Sequence, residues 1–439
     1  MSRRKRSSVQ RATVRRGFCV ISLLCVLLHS VDGRASNQSE YVAAAGGSSV
    51  PAVSESAVVD PASAKIARGK YLATAGDCVS CHTRHDGVAF SGGVGFETPL
   101  GTIYSSNITP DIATGIGTWT AADLRAALHE GIGRGGKRLF PAFPYTSFTK
   151  VSDQDVDAIY AYLRTLQAVR YTPPSNQGIL FTQRWAMGLW NALFFDAGRF
   201  EPDSKQSAEW NAGAYLVQGL GHCGACHTPH NALGAERGGD ALAGGDAEGW
   251  LAPALSDASP AAHPWTMSEL TGYLREGITA QHGVAGGPMG PVTQHLAQLP
   301  ETDVQAIAAY LLWRMPPSAP TPAPPATTAD DAVFAGACGS CHAPDAPMMR
   351  AGAPSLALSS AVNASTSLNV VETILYGIPL RDGVPGPFMP GFADMLTDPQ
   401  IAALAAYVRA RYSGKPAWTD IDAQIRRARG VRAQEEAGR

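Results

Sequence analysis

One pentapeptide spacing occurs three times in this chain: Cys78-Val79-Ser80-Cys81-His82, Cys223-Gly224-Ala225-Cys226-His227 and Cys338-Gly339-Ser340-Cys341-His342. On a helix, positions i and i+3 share a face, so both sulfurs can point at one partner while the next residue projects beside them. A porphyrin answers that arrangement, with two vinyl groups at its edge for the sulfurs and an iron at its centre for the imidazole. C-x-x-C-H is the attachment signature of c-type haem. A structural zinc site needs four ligands, from two C-x-x-C pairs or a distant pair of histidines. It gives no reason for a histidine after the second cysteine in every copy. A thioredoxin-like redox pair expects a βαβ context, which surrounds none of the motifs. The expectation is three covalently bound haem c groups. Cys78, Cys81, Cys223, Cys226, Cys338 and Cys341 are the attachment points, and His82, His227 and His342 each supply one axial bond to iron.

The flanks repeat as well. "GKYLATAGDCVSCHT" at 69–83 matches "GAYLVQGLGHCGACHT" at 213–228, and the third lead-in is the shorter "AVFAGACGSCHA" at 332–343. Each is followed downstream by a related stretch, at 152–166, 301–314 and 397–412. Val156, Ile159, Tyr160 and Leu163 fall at helical spacing, as do Val304, Ile307, Tyr310 and Leu311, and again Ile401, Leu404, Tyr407 and Val408. Ser152 with Asp155, and Thr397 with Gln400, have the form of N-caps answered three residues on. The expected fold is all-α: three tandem cytochrome c-like domains joined by linkers, at 62–170, 205–315 and 330–413. Residues 316–329 are a Pro-rich spacer, with six prolines in "PPSAPTPAPPATT". The connector 171–204 is rich in aromatics, with Trp185, Leu189 and Leu193 at helical spacing. It packs between the first two units or docks on a partner or membrane surface. The tail 414–439 is a disordered segment or, with five arginines in its last fourteen residues, a contact for an anionic surface.

Residues 1–35 have a basic front, an apolar run from Phe18 to Leu28 and a small-x-small end at Gly33-Arg34-Ala35, the layout of a secretory signal peptide. The apolar run is short for a membrane anchor. Cys19 and Cys25 lie here, so the haem motifs account for all the remaining cysteines. Eight of the 35 basic residues and one of the 37 acidic ones also lie here, which leaves 27 against 36 and a formal charge of −9. Such a surface argues against nucleic acid, whose binding needs a basic face. The expected location is the periplasmic side of the bacterial cytoplasmic membrane, with peripheral attachment at most.

Electron-transfer haems of this type usually complete their iron with methionine, which raises the potential. The methionine should come from the loop before each closing helix: Met289 in "GGPMGPV" and Met389 in "GPFMPGF", with Met395 a weaker candidate for the third site. The first unit departs from this, because Phe143 holds the equivalent place in "RLFPAFPYTSF" and no methionine lies between Met1 and Met187. His82 alone, a nitrogen donor from His129, His85 or Lys150, or a sulfur from Met187 remain as alternatives.

"TPLGTIYSSNITPDIATGIGTW" at 98–119, "PAFPY" at 141–145 and "EWNAGAYLVQGLGHCGACHTPHNALGAE" at 209–236 resemble the triple-haem cytochrome c subunits of bacterial periplasmic dehydrogenases. The resemblance covers nearly the whole chain beyond residue 35. That family includes cytochrome subunits of quinoprotein alcohol dehydrogenase and of flavin-dependent gluconate, sorbitol and fructose dehydrogenases. It also includes those of molybdenum-dependent aldehyde, nicotinate and isoquinoline dehydrogenases. "PAFPY", "CHTPHNALGAE" and "HGVAGGPMGPV" are most similar to the molybdenum group. The resemblance implies a subunit without substrate chemistry of its own. A partner dehydrogenase of molybdopterin type, with a small iron–sulfur subunit, delivers electrons to the haems, and these pass them to ubiquinone or a terminal oxidase. Two rivals stand beside it: a peroxidase-like enzyme using the first haem, and a free carrier shuttling between complexes.

Overall fold

Two glycines determine how closely the principal helices approach. In the computed structural model, which describes residues 60–98, 101–178, 184–317, 332–379 and 388–437, the Pro61–Ala75 helix crosses the Asp153–Leu163 helix at Gly69. A Cβ on Gly69 would stand 1.9 Å from the carbonyl oxygen of Ala158. The second copy repeats this: the Ala208–Gln218 helix crosses Glu301–Arg314 at Gly213, where a Cβ would lie 1.8 Å from the carbonyl of Ala306. Only a residue without a side chain permits backbones that close. The third lead-in is too short for such a crossing. Its Phe334–Cys338 turn is π-helical, and Phe334 packs instead against Tyr407 and Tyr412 of the Asp398–Tyr412 helix, with ring centroids 5.0 and 5.9 Å away.

The closing helices bury the faces their periodicity marks: Val156, Ile159 and Leu163, then Val304, Ile307, Tyr310 and Leu311, then Ile401, Leu404 and Val408. Ser152 accepts from the Asp155 amide, and Thr397 with Gln400 forms a full capping box. Between lead-in and closing helix, the first two segments each carry another capped helix, Ala121–Glu130 and Met267–Glu276. Each ends on a left-handed glycine, Gly131 or Gly277, and turns into a short antiparallel hairpin: Ile132–Gly133 with Lys137–Arg138, and Ile278–Thr279 with Gly283–Val284. Two further hairpins pair Gly95–Thr98 with Gly101–Tyr104 and Gly245–Ala247 with Trp250–Ala252. The helical expectation holds in the main, and four small hairpins are added to it among the described residues. Strands of two to four residues are too short to show alternation in a sequence.

All the described residues belong to one compact unit. The first and second segments meet through a reciprocal pair of contacts. Tyr71 on the first lead-in helix donates to Asp303 at 2.7 Å, and Tyr215 on the second donates to Asp155 at 2.6 Å. Tyr71 and Tyr215 each lie two residues after a crossing glycine, and Asp155 and Asp303 each lie in the first turn of a closing helix, so the interface is a pseudo-two-fold one. The second segment also holds the third: the Asn369 amide donates to the Leu251 carbonyl and accepts from the Leu251 N–H, both at 2.8 Å.

The connector splits its apolar residues between two environments. On the Ala186–Phe194 helix, Trp190 is buried against Tyr145 and donates to the carbonyl of Leu233 at 2.9 Å. Trp185, Leu189 and Leu193 face outward, Trp185 at 73% exposure. Of the two readings of the tail, the disordered one is corrected. Ile421–Ala437 is a helix whose Ile425 and Ala428 are buried in the core of the third segment. The signal-peptide reading and most of the Pro-rich spacer lie outside the described residues. Among these residues no helix is long and apolar enough to cross a membrane.

Candidate haem sites

Each C-x-x-C-H motif forms a single helical turn at the end of its lead-in, Cys78–Cys81, Gly224–His227 and Gly339–His342. In the first two, the imidazole is aimed by its neighbour in space. His82 Nδ1 lies 2.7 Å from the carbonyl oxygen of Ser106, and His227 Nδ1 lies 2.7 Å from that of Pro253. A carbonyl only accepts, so the Nδ1 atoms carry the protons and the Nε2 lone pairs are left for a metal. Burial pushes both imidazoles below the ordinary histidine range, with the carbonyl bonds opposing it, and burial does the same at His342.

The thiols distinguish the chemistry. Burial pushes Cys78, Cys81 and Cys223 up to about 12, and Cys226 up to about 11. Zinc requires thiolates, favoured in electropositive surroundings. These sulfurs sit where a neutral species is favoured, which fits a thioether. Among the described residues no three His, Cys, Asp or Glu side chains are grouped to hold a metal ion.

An apolar cavity of about 650 Å³ runs through the second and third segments. Its walls include Cys223, Cys226, His227 and Met289, and also Cys338, Cys341, His342 and Met389. The two methionines expected as sixth ligands therefore share a cavity with their expected histidines. Met389 is pinned there by an antiparallel bridge to Ile378, through bonds of 2.8 and 3.0 Å. Met395, the weaker candidate, is 65% exposed and lies in the chain beyond that bridge. Apolar walls carrying two cysteines, an imidazole and a thioether at each site fit a haem c, and those eight residues would hold two such groups, although Cys341 is exposed where the other three cysteines are buried or half-buried.

The first segment brings Cys78 and Val79 into one apolar cluster with Leu128, Phe148 and Phe143. Hairpin register supports the equivalence of Phe143 and Met289. Leu139 N–H bonds to the Gly131 carbonyl and Ala285 N–H to the Gly277 carbonyl, and Phe143 and Met289 each lie four residues further on. Of the alternative donors, His129 is buried beside Arg199 and Asp153, His85 is exposed beside Asp86, and Lys150 lies near Gly198.

Sequence reasoning missed the acidic groups around the cysteines. Negative charge at Glu248, on the tip of the Gly245–Ala252 hairpin, raises both Cys81 and Cys226, and Cys226 also acts on Cys81. Asp77, directly before Cys78, has its Oδ1 2.7 Å from Nδ1 of His295 in the second segment. The repeated Tyr and Asp positions of the interface were visible in the aligned flanks, although nothing in a sequence says that they cross between copies.

This helical frame with its C-x-x-C-H slots is that of a cytochrome c. The chain matches the cytochrome c family over residues 66–167 and 211–314, and the family described as cytochrome C oxidase, cbb3-type, subunit III over 325–408. It is 46% identical over 378 residues to a nicotinate dehydrogenase subunit of Pseudomonas putida, covering 83% of this chain and 32% of that protein. It is 34% identical over 405 residues to the fructose dehydrogenase cytochrome subunit of Gluconobacter japonicus, covering 83% of each. A diheme cytochrome c-type protein of Cereibacter sphaeroides is 39% identical over 251 residues, 56% of this chain and 84% of its own. The chain thus spans about a third of the nicotinate dehydrogenase protein and most of the other two. It belongs to the family of dehydrogenase cytochrome c subunits.

Proposed function

We propose that this chain is an electron-transfer subunit carrying three covalent haem c groups in three tandem cytochrome c domains, at 62–170, 205–315 and 330–413. Cys78 and Cys81, Cys223 and Cys226, and Cys338 and Cys341 hold the porphyrins, while His82, His227 and His342 bind the irons. Met289 and Met389 complete the second and third, and thioether ligation there holds those potentials high. When bound, the haems supply one-electron chemistry, and the chain's work is to bury them, orient their axial ligands and keep them near one another.

The observation that supports this reading is the shared apolar cavity, whose walls include the expected ligands of both the second and the third site. The reciprocal tyrosine–aspartate interface supports a fixed first-to-second pair. A linear relay follows, with the second haem in the middle. The partner that reduces it is a dehydrogenase, and the 46% identity to a nicotinate dehydrogenase protein supports the molybdopterin type with a small iron–sulfur subunit. Electrons leave to ubiquinone or a terminal oxidase at the periplasmic face of the membrane, after export through the segment 1–35.

Mass spectrometry of the denatured holoprotein tests the core of the proposal. Three haem masses on one chain are expected, and fewer than three overturn it. Purification from native membranes should bring a dehydrogenase whose substrate reduces the haems.

A further inference from the structure

We propose that no side chain among the described residues supplies a sixth ligand to the iron held by Cys78, Cys81 and His82. Phe143 walls its distal side, and this one site of the three takes a small neutral ligand such as carbon monoxide or nitric oxide. The inference rests on the haem reading above and goes beyond it, because it separates one site from the other two in chemistry.

Phe143 stands at the position where Met289 enters the second slot, as the matched hairpin bonds of Leu139 and Ala285 show. Its ring belongs to the apolar cluster around Cys78 and lies 5.4 Å from the ring of Phe148. A phenyl group has no lone pair for iron. It stands beside the space in which a thioether would bind, without coordinating, and keeps that space dry.

The alternative donors are held elsewhere. Met187 packs in a separate cluster built on Tyr145, Trp190 and Ala235, and Phe143 is the residue common to the two clusters. The thioether is therefore grouped with the connector helix and not with the cluster that holds Cys78. His129 corresponds by position to Arg275, since each lies two residues before the glycine that ends its helix. Arg275 reaches Glu301, the first residue of the second closing helix, and His129 lies beside Asp153, the first residue of the first closing helix. Both are directed at a helix N-terminus. Arg199 bonds to Nδ1 of His129 and fastens it there. His85 is almost fully exposed beside Asp86, and the Lys150 ammonium lies next to Gly198 of the connector. His222 packs edge-on against Phe148 with ring centroids 5.6 Å apart, and is tied to the backbone of Gly76.

The test uses the full-length holoprotein with its haem content established by mass. Titration of the reduced protein with carbon monoxide should bind about one equivalent per chain, and the oxidised spectrum should contain one high-spin haem beside two low-spin ones. The far-red sulfur-to-iron band should have the intensity of two thioether sites. In Phe143→Met it should rise by about half, and carbon monoxide binding should be lost. Met187→Leu should leave both readouts as in the wild type. A wild-type protein with three haems that are all low-spin and do not bind carbon monoxide overturns the inference. So does loss of about a third of the band in Met187→Leu, which would make Met187 the ligand. A chain lacking a haem at Cys78 and Cys81 overturns the underlying haem reading instead, so the two failures are told apart by mass alone.

Discussion

His282 lies flat on the indole of Trp265, with ring centroids 3.4 Å apart and its side chain closed to solvent. Burial pushes it down to about 4, the neighbouring His263 adds to this, and Glu269 at 3.8 Å opposes it. An unfolded chain protonates this imidazole below its ordinary value of 6.5, whereas the folded one stays neutral down to about 4. Between those values the unfolded state binds more protons, so stability rises with pH and is complete above the upper one. Acidification to pH 5 should cost about 2 kcal/mol from this residue. Urea melts at pH 7 and pH 5 should show that loss, and His282→Gln should flatten the slope between them whatever it does to absolute stability. The motif histidines stand out in the sequence because each follows a cysteine pair. His282 does not, since its environment is set by Trp265, seventeen positions earlier in the chain.

Among the helices, apolar periodicity exposes some and hides others. The closing helices were legible from their apolar spacing and caps, because each presents one face to one core. The Ile421–Ala437 helix was hidden by its arginines, since two buried residues, Ile425 and Ala428, seat it beside Tyr376, whose hydroxyl donates to the Ala428 carbonyl at 3.2 Å. The crossings were hidden differently: Gly69 and Gly213 recur in the aligned flanks, but a glycine in a helix reads only as a weak position. Their contacts predict a large effect. Gly213→Ala places a methyl carbon on the Ala306 carbonyl, and relief requires moving one helix bodily from the other. The expected loss is about 3 kcal/mol or more, well above the helix-propensity gain of about 1 kcal/mol that alanine brings. Thermal melts of the Gly213→Ala holoprotein check this, and an unchanged or raised midpoint would contradict the close crossing.

Across the whole molecule, the second segment touches both of its neighbours by different means, and this asymmetry is testable. The first is held by phenolic and charged side-chain contacts, of which Tyr71 to Asp303 and Tyr215 to Asp155 are the reciprocal members and His295 to Asp77 is another. At the third, Asn369 satisfies both backbone groups of Leu251 at the edge of a three-residue strand, and Arg427 of the tail helix pairs with Asp246 on the neighbouring strand. Asn369→Ala removes both partners at once and leaves a donor and an acceptor on a partly buried strand. Each such group costs about 1–3 kcal/mol when unsatisfied, so the docking should weaken by about 2–4 kcal/mol. The proposed second and third haem slots share one cavity, so loosening this contact should open both to water. We expect a lower potential at the second and third haems together and none at the first, read in a spectroelectrochemical titration that resolves all three. A shift confined to the third haem would mean that the two slots are insulated from each other, and the relay would then need a path outside the common cavity. In Tyr71→Phe with Tyr215→Phe the pattern should reverse, the first and second haems responding and the third staying as it was. The pair of variants therefore maps which haem neighbours which without any partner protein present.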